Sequence, residues 1–234
     1  MKVLFVGPSL PDAAAIAGHD LVVRPPATQG DVLAAIGEGA TAIGLIDGGF
    51  EYTAPVWHKE ILYGLSKGVA IFGAASMGAL RAAECHRFGM VGIGRIFEDY
   101  RDGSVIDDSD VALIHAPAEM QYRPLSVPMV NVRSTLQRVV ADDLISPQES
   151  EALDAAARAI FFKERTWRRI VAACQALVPH RKTEIASLLP AVEVDQKRRD
   201  ALLLVQHMDV MGPPPVSAGT WTFQATSIWR EKPT

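Results

Sequence analysis

A serine at a strand-to-helix turn is the residue of this chain best placed to do chemistry. Residues 73–80 read Gly-Ala-Ala-Ser-Met-Gly-Ala-Leu and follow a short apolar run. The pattern predicts a buried strand, a tight turn with Ser76 at its apex, and a helix from Met77 onward. A helix N-terminus presents unpaired N–H groups that can hold an oxyanion. Small residues, among them Gly73 and Gly78, would let strand and helix approach closely and let a substrate reach the hydroxyl.

The turn resembles the nucleophile elbow of hydrolases, although its spacing is G-x-x-S-x-G rather than G-x-S-x-G. The alternative is that Ser76 only caps the helix that follows it. As a nucleophile the serine needs a neighbouring base. A triad would use His58 oriented by Asp47, whereas a dyad would use Lys59 in a neutral form, which burial can produce. Because His58 and Lys59 are consecutive helical residues, only one of them is expected to face Ser76.

Other polar residues are expected to support this site. The loop at 7–10 could supply a second oxyanion donor from Ser9, or cradle a phosphate. Arg81 and Glu84 lie on the helix after Ser76 and are expected to form an ion pair, while Cys85 is expected to pack as a small hydrophobe. The chain has no Walker motif, no G-x-G-x-x-G and no zinc-type cysteine spacing, so neither a nucleotide cofactor nor a metal is expected.

Short strands alternate with helices over the first ninety residues. Strands are predicted at 3–6, 21–24, 42–46 and 69–72, with a further strand at 111–115. The alternation predicts an α/β fold with a mostly parallel sheet and flanking helices. Because ligands gather at the carboxyl ends of such strands, the turns at 7–11, 47–50 and 73–77 should converge on one cleft.

The second half of the chain is predicted to be helical. Apolar residues at three- and four-residue spacing indicate helices at 132–144, 147–160, 163–177, 181–189 and 193–208. Ser146 and Glu149 have the spacing of a capping box. The predicted organisation is an α/β core at 1–131 that holds the cleft, a helical region at 132–211, and an irregular tail at 212–234 whose aromatic residues need a surface to pack on.

Composition limits the classes of function. The 234 residues are 49% hydrophobic and 21% charged, which is sufficient for a packed core, and the net charge of -4 argues against a general nucleic-acid binder. No apolar stretch approaches the roughly 20 residues that span a bilayer. The apolar run near the N-terminus is too short for a signal peptide. The sequence therefore predicts a cytoplasmic protein that associates with neither membrane nor nucleic acid.

Long segments of the first 135 residues resemble the TfuA-like family. The segments that carry the resemblance are V-G-P-S-L at 6–10, P-P-A-x-x-G-D-V at 25–32, I-D-G-G-F at 46–50, V-W-H-K-E-I-L at 56–62, G-A-A-S-M-G-A-L-R-A-A-E at 73–84, G-M-V-G-I-G-R-I-F-E-D-Y at 89–100, D-D-S-D-V-A-L-I-H at 107–115 and P-M-V-N-V-R at 128–133. The resemblance implies an α/β fold that is not the standard hydrolase fold.

The resemblance also implies a function in making peptide backbone thioamides beside a YcaO enzyme, which activates the amide with ATP. The implied activity is hydrolysis of the C-terminal thiocarboxylate of a ThiS-like sulfur-carrier protein, together with help for YcaO in holding its precursor peptide. The implied catalytic pair is a serine and a lysine, which fall on Ser76 and Lys59. The N–H groups of Met77 and Ser9 are expected to hold the oxyanion.

Two other functions remain open at this point. The first is a non-catalytic adaptor that binds YcaO and its precursor peptide. The second is a generic serine hydrolase with a small acyl substrate. The sequence favours the thiocarboxylate hydrolase over the adaptor, because an adaptor has no need of a lysine beside a serine at a helix N-terminus.

Overall fold

Five parallel strands form one sheet in the computed structural model, which describes residues 1–210, 221–226 and 229. The strands are β1 (Lys2–Phe5), β2 (Leu21–Arg24), β3 (Ala42–Leu45), β4 (Ala70–Ala74) and β5 (Val91–Ile93). Their order is β2-β1-β3-β4-β5, and every neighbouring pair is parallel. The predicted parallel α/β architecture is therefore confirmed, with β5 as an additional edge strand.

The helices flank the sheet and then continue beyond it. They are α1 (Ala13–Ile16), α2 (Asp31–Gly37), α3 (His58–Ser66), α4 (Met77–Cys85), α5 (Arg95–Arg101), α6 (Met129–Ala141), α7 (Pro147–Arg158), α8 (Trp167–Ala173), α9 (Pro179–Ala191) and α10 (Gln196–Val210). The predicted helical second half is confirmed. The Ser146–Glu149 capping box is present at the start of α7.

Alternate residues of each strand supply two separate cores. Val3 and Phe5 of β1 point towards α2, α3 and α4, whereas Leu4 points towards α1 and α10. Leu204 and Met208 of α10 are fully buried in this second core. The last long helix, α10, therefore covers one face of the sheet, although the sequence analysis placed it in the helical region at 132–211, outside the predicted α/β core at 1–131. Helices α6 to α9 build a third core of their own.

The strand order reverses between β1 and β3, because β2 lies on one side of β1 and the later strands lie on the other. In doubly wound sheets a crevice opens at this reversal, outside the carboxyl ends of the strands. The loop after β1, the turn after β3 and the turn after β4 all begin at this edge. The topology thus brings the three predicted turns together.

One predicted strand is absent. Residues 111–115 follow a 3₁₀ turn at Asp108–Asp110 and make only an isolated bridge between His115 and Pro124. Val111 and Ala112 are nevertheless buried, and Val111 packs in the core between the sheet and α3 and α4. Both residues also line a cavity at the carboxyl edge of the sheet, so packing against the core rather than pairing in the sheet accounts for the apolar character of Val111.

The described part of the tail packs on α3 and on the turn after α4. The indole of Trp221 donates a hydrogen bond to the carbonyl of Phe88 at 3.0 Å. The ring of Phe223 lies 5.5 Å from that of Tyr63 on α3. These contacts supply the surface that the aromatic residues were expected to need. The remainder of the predicted tail, at 212–220, 227–228 and 230–234, lies outside the described residues.

Candidate active site

The backbone before Ser76 is strained. Ala75 has a φ of 66° although it is not glycine, and the N–H of Ser76 donates to the carbonyl of Ala74 at 2.8 Å. A hydrogen bond across three residues with a positive central φ makes a tight γ-turn, which is an uncommon and strained conformation. Such strain is typical of functional sites. The chain reverses abruptly between β4 and α4, with Ser76 at the point of reversal.

Two glycines let α4 lie directly on the sheet. A Cβ on Gly78 would lie 1.8 Å from the carbonyl oxygen of Leu45, and a Cβ on Gly73 would lie 2.1 Å from the carbonyl oxygen of Gly78. The N–H of Gly78 also donates to the carbonyl of Ile46 at 3.1 Å. These glycines were predicted to let strand and helix approach closely, and the close contact between α4 and the strands confirms this part of the prediction.

Ser76 lines a cavity of about 400 Å³ at the sheet reversal. The residue is only 6% exposed, and its side chain makes no capping hydrogen bond to α4. The alternative role as a helix cap is therefore not seen. Met77, the first residue of α4, lines the same cavity. Its N–H has no acceptor within the helix because of that position.

The cavity also contains a lysine that the sequence analysis did not identify. Lys197 of α10 is 3% exposed and lines the cavity together with Ser76 and Asp47. Its amine donates to the carbonyl of Val111 at 2.8 Å. Burial lowers the pKa of the Lys197 amine, while the carboxylates of Asp47 and Asp195 act in the opposite direction. A buried amine of this kind can act as a base.

A sequence signal for Lys197 did exist. The buried residues of α10 include Lys197, Ala201, Leu204, Val205 and Met208, so the lysine occupies the stripe that faces the sheet. A lysine on the apolar face of an amphipathic helix is uncommon. The stripe did not reveal which cavity the amine enters.

Asp47 ties the loop after β1 to the end of β3. Its Oδ2 accepts hydrogen bonds from the N–H groups of Gly7 and Ser9, both at 2.9 Å. Its Oδ1 accepts a hydrogen bond from the Ser9 hydroxyl at 2.6 Å. The N–H of Ser9, which was expected to hold an oxyanion, is therefore already used. Asp47 lies in the expected cleft, but its hydrogen bonds go to this loop rather than to His58.

His58, Arg81 and Glu84 form a separate cluster. The Nε2 atom of His58 lies 2.8 Å from Oε2 of Glu84, and Nη1 of Arg81 lies 2.7 Å from the same oxygen. The expected ion pair between Arg81 and Glu84 is thus present. Arg81 and Glu84 line a second, neighbouring groove that shares Met77 with the serine cavity. His58 contacts Glu84 and does not line the serine cavity, so the geometry does not favour the triad.

Lys59 contacts the tail rather than the serine cavity. Its amine donates to the carbonyl of Gln224 at 2.5 Å and lies 5.5 Å from the centre of the Phe223 ring. It is not among the residues that line the serine cavity. The geometry therefore does not support the expected pairing of Lys59 with Ser76, because the side chain contacts the tail. The next residue, Glu60, is fully buried and accepts a hydrogen bond from the N–H of Gly30 at 2.8 Å.

Several further features bear on the chemistry. Cys85 is buried, and burial raises the pKa of its thiol to about 12, so the sulfur is not a thiolate at neutral pH. Across residues 1–210, 221–226 and 229, no group of three or more His, Cys, Asp and Glu side chains could hold a metal ion. In the same residues no helix has the length and apolarity to cross a membrane.

Comparison with known proteins gives a family. A family model described as TfuA-like protein matches residues 47–166, which is just over half of the 234 residues. A search of curated proteins found no match. The matched segment contains Asp47 and Ser76, and ends before Lys197. With the resembling motifs and more than half of the chain in agreement, this protein belongs to the TfuA-like family.

Proposed function

We propose that this protein hydrolyses the C-terminal thiocarboxylate of a ThiS-like sulfur-carrier protein. The sulfide would supply a YcaO enzyme that thioamidates a peptide or protein, and the protein would also assist YcaO in binding that substrate. The observation that carries the proposal is the presence of Ser76 and Lys197 in one cavity at the N-terminus of α4. Membership of the TfuA-like family supports it.

We assign the lysine of the catalytic pair to Lys197 rather than to Lys59. A base must be neutral before it accepts a proton, and burial disfavours the charged ammonium. Lys197 is buried in the same cavity as the serine, and burial lowers its pKa. Lys59 instead donates to a backbone carbonyl in the tail.

The reaction that these cavity residues would catalyse has two steps. The Lys197 amine takes the proton of Ser76 while the serine oxygen bonds to the thiocarboxylate carbon. The N–H of Met77 donates to the oxyanion, an interaction worth about 3–4 kcal/mol in well-studied enzymes. The carbon–sulfur bond then breaks, and the proton passes from Lys197 to the sulfur, which leaves as hydrosulfide.

The second step regenerates the serine. The carrier is now joined to Ser76 through an ester bond. Lys197 takes a proton from water as the water oxygen attacks the ester carbon, and returns that proton to the Ser76 oxygen as it leaves. The products are the free enzyme and the carrier carboxylic acid, which loses its proton to solvent to become the carboxylate. This sequence needs no oxidant, reductant or bound metal.

The shape of the site supports a slender substrate. Ser76 is almost completely buried, and the residues beside it in the cavity include Gly48 and Gly49. A folded protein surface cannot reach a hydroxyl at such a depth, whereas the flexible end of a chain can. The terminal thiocarboxylate of a carrier protein meets this requirement.

Sulfide release from a purified thiocarboxylated carrier tests the proposal. We expect Ser76→Ala and Lys197→Met to lose at least about 100-fold in rate, because general acid–base and nucleophilic groups contribute on that scale. Lys59→Met is the matched control and should retain the wild-type rate. Circular dichroism would verify that each variant is folded.

Three results would contradict parts of the proposal. Absence of sulfide release by the wild-type protein would favour the non-catalytic adaptor, and wild-type release by Ser76→Ala would show that the serine is not the nucleophile. Loss of activity in Lys59→Met, with Lys197→Met still active, would return the base to Lys59. Rapid turnover of simple esters, with none of the thiocarboxylated carrier, would indicate a generic serine hydrolase.

A further inference from the structure

Asp47 is a buried carboxylate that accepts hydrogen bonds from the loop after β1. It is 3% exposed and accepts from the N–H of Gly7, the N–H of Ser9 and the hydroxyl of Ser9. It lines the same cavity as Ser76 and Lys197. Its three donors among the described residues are neutral groups, so no cation there is hydrogen-bonded to the carboxylate.

We propose that Asp47 is a positioning residue whose charge sets the proton affinity of the Lys197 amine while its oxygens hold the loop at 7–9 against the cavity. This inference rests on the proposed pairing of Ser76 with Lys197. Asp47 would act through the lysine and would not touch the substrate. Its part resembles that of the aspartate in a Ser-His-Asp triad, which stabilises the charged base after proton transfer.

The lining of the cavity distinguishes Asp47 from the other carboxylate that favours the protonated amine, Asp195. Asp47 lines the cavity together with Lys197, whereas Asp195 is not among its lining residues. Asp195 lies just before α10 and accepts hydrogen bonds from Asn131 and from the N–H of Arg198. The Val111 segment contributes a carbonyl acceptor to the amine.

The other titratable side chains of the cavity wall are directed elsewhere. His115 contacts the carbonyl of Ala116 at 2.8 Å through Nδ1, and Glu51 forms an ion pair with Lys163. Tyr52 accepts a hydrogen bond from Lys163. Tyr122, which lies beside Gly7 and outside the cavity wall, has a pKa raised by burial and then by Asp47. Among the described residues none of these side chains accepts a hydrogen bond from the Lys197 amine, which donates to the carbonyl of Val111.

The carboxylate has two opposite effects on a general base. It raises the proton affinity of Lys197, which makes the neutral amine a stronger base. It also raises the fraction of Lys197 that is protonated at low pH and therefore inactive. Removing the charge should lower the maximal rate, because base strength falls, and should also move the acid limb of the rate profile to lower pH. A merely structural role would not produce the second effect.

Asp47→Asn isolates the charge from the hydrogen bonds. The amide oxygen of asparagine can accept from the N–H groups of Gly7 and Ser9, as Oδ2 does now. The amide nitrogen can donate to the Ser9 hydroxyl, because a hydroxyl can reverse from donor to acceptor. Ser9→Ala is the matched control, since it removes one hydrogen bond and keeps the carboxylate.

The first experiment records the pH dependence of kcat/KM for sulfide release. We expect Asp47→Asn to shift the acid limb to lower pH and to reduce the plateau by about tenfold. We expect Ser9→Ala to leave the acid limb where it is. An unchanged limb in Asp47→Asn, a shift to higher pH, or an equal shift in Ser9→Ala would overturn the proposal.

The second experiment does not depend on turnover. Isotope-labelled lysine and NMR follow the titration of Lys197 directly, with Lys197→Met used to assign its resonance. Asp47→Asn should lower the titration midpoint of Lys197, and should lower it more than Asp195→Asn does. If sulfide release fails altogether but this shift is observed, the proposed reaction is wrong and the inference about Asp47 stands. If Asp47→Asn does not fold, Asp47→Ser replaces it, and failure of both to fold would show a structural role only.

Discussion

Replacement of Gly78 by alanine should weaken the fold at the turn that carries Ser76. The added methyl group would lie 1.8 Å from the carbonyl oxygen of Leu45, whereas real Cβ atoms essentially never approach a heavy atom within 3.0 Å. Helix α4 and strand β3 would have to separate by the difference, about 1.2 Å. Both are backbone segments of buried elements, so neither can yield by a side-chain rotation.

The magnitude follows from three contributions. Overpacking of a core costs about 1–3 kcal/mol, and the upper end applies because the contact is with backbone. Weakening of the hydrogen bond from Gly78 to Ile46 adds about 1 kcal/mol. Alanine in place of glycine returns about 1 kcal/mol through its helix propensity. The expected net loss in the free energy of unfolding is about 3 kcal/mol.

Urea unfolding followed by circular dichroism measures this loss. Gly37→Ala is the matched control, because Gly37 is also helical and an added Cβ there meets nothing within 4 Å. The control should be as stable as the wild type or slightly more stable. If Gly78→Ala were as stable as Gly37→Ala, the close contact between α4 and β3 would be refuted.

Three further changes test other parts of the molecule. Glu149→Gln should reduce the free energy of unfolding by about 1 kcal/mol at neutral pH. Arg181 holds the pKa of Glu149 at about 2 rather than 4.5, so the difference in stability from wild type should shrink as the pH falls from 4.5 towards 2. A difference in stability that is independent of pH would contradict this. Asp200→Ala removes an acceptor from the N–H of Ile96 at the start of α5 and should cost about 1–3 kcal/mol in thermal unfolding; an unchanged melting temperature would contradict the capping role. Cys85→Ser should leave sulfide release intact, because the buried thiol is neutral at neutral pH, and loss of release in a folded variant would indicate catalysis by this cysteine.

The architecture could be predicted because alternation of short strands with helices permits few arrangements. Strands β1 to β4 were predicted within two residues of their bounds. Strand β5 was not predicted, since it has only three residues and a central glycine. Gly92 is required there because an added Cβ would lie 2.0 Å from the ring of Phe97. The glycine at position 92 is therefore required by packing against Phe97 in the folded protein and not by strand propensity.

The candidate site could be predicted only in part. The strand-to-helix turn identified Ser76, and the carboxyl edge of the sheet identified Asp47, because both features are local or topological. The lysine could not be assigned from spacing, since α3 and α10 both carry one. Which amine enters the cavity depends on the side of α3 that faces the sheet and on the packing of α10 over β3 and β4. Both depend on contacts between distant segments.

The most direct test of the central claim is a search for the ester that joins the carrier to Ser76. The protein would be mixed with a thiocarboxylated carrier and quenched in acid at short times, and intact mass and peptide mapping would locate the bond. The account predicts a transient covalent adduct at Ser76 that forms as sulfide appears, is absent in Ser76→Ala, and accumulates more slowly in Lys197→Met. Sulfide release at the wild-type rate by Ser76→Ala, or an adduct mapped to another residue, would contradict it.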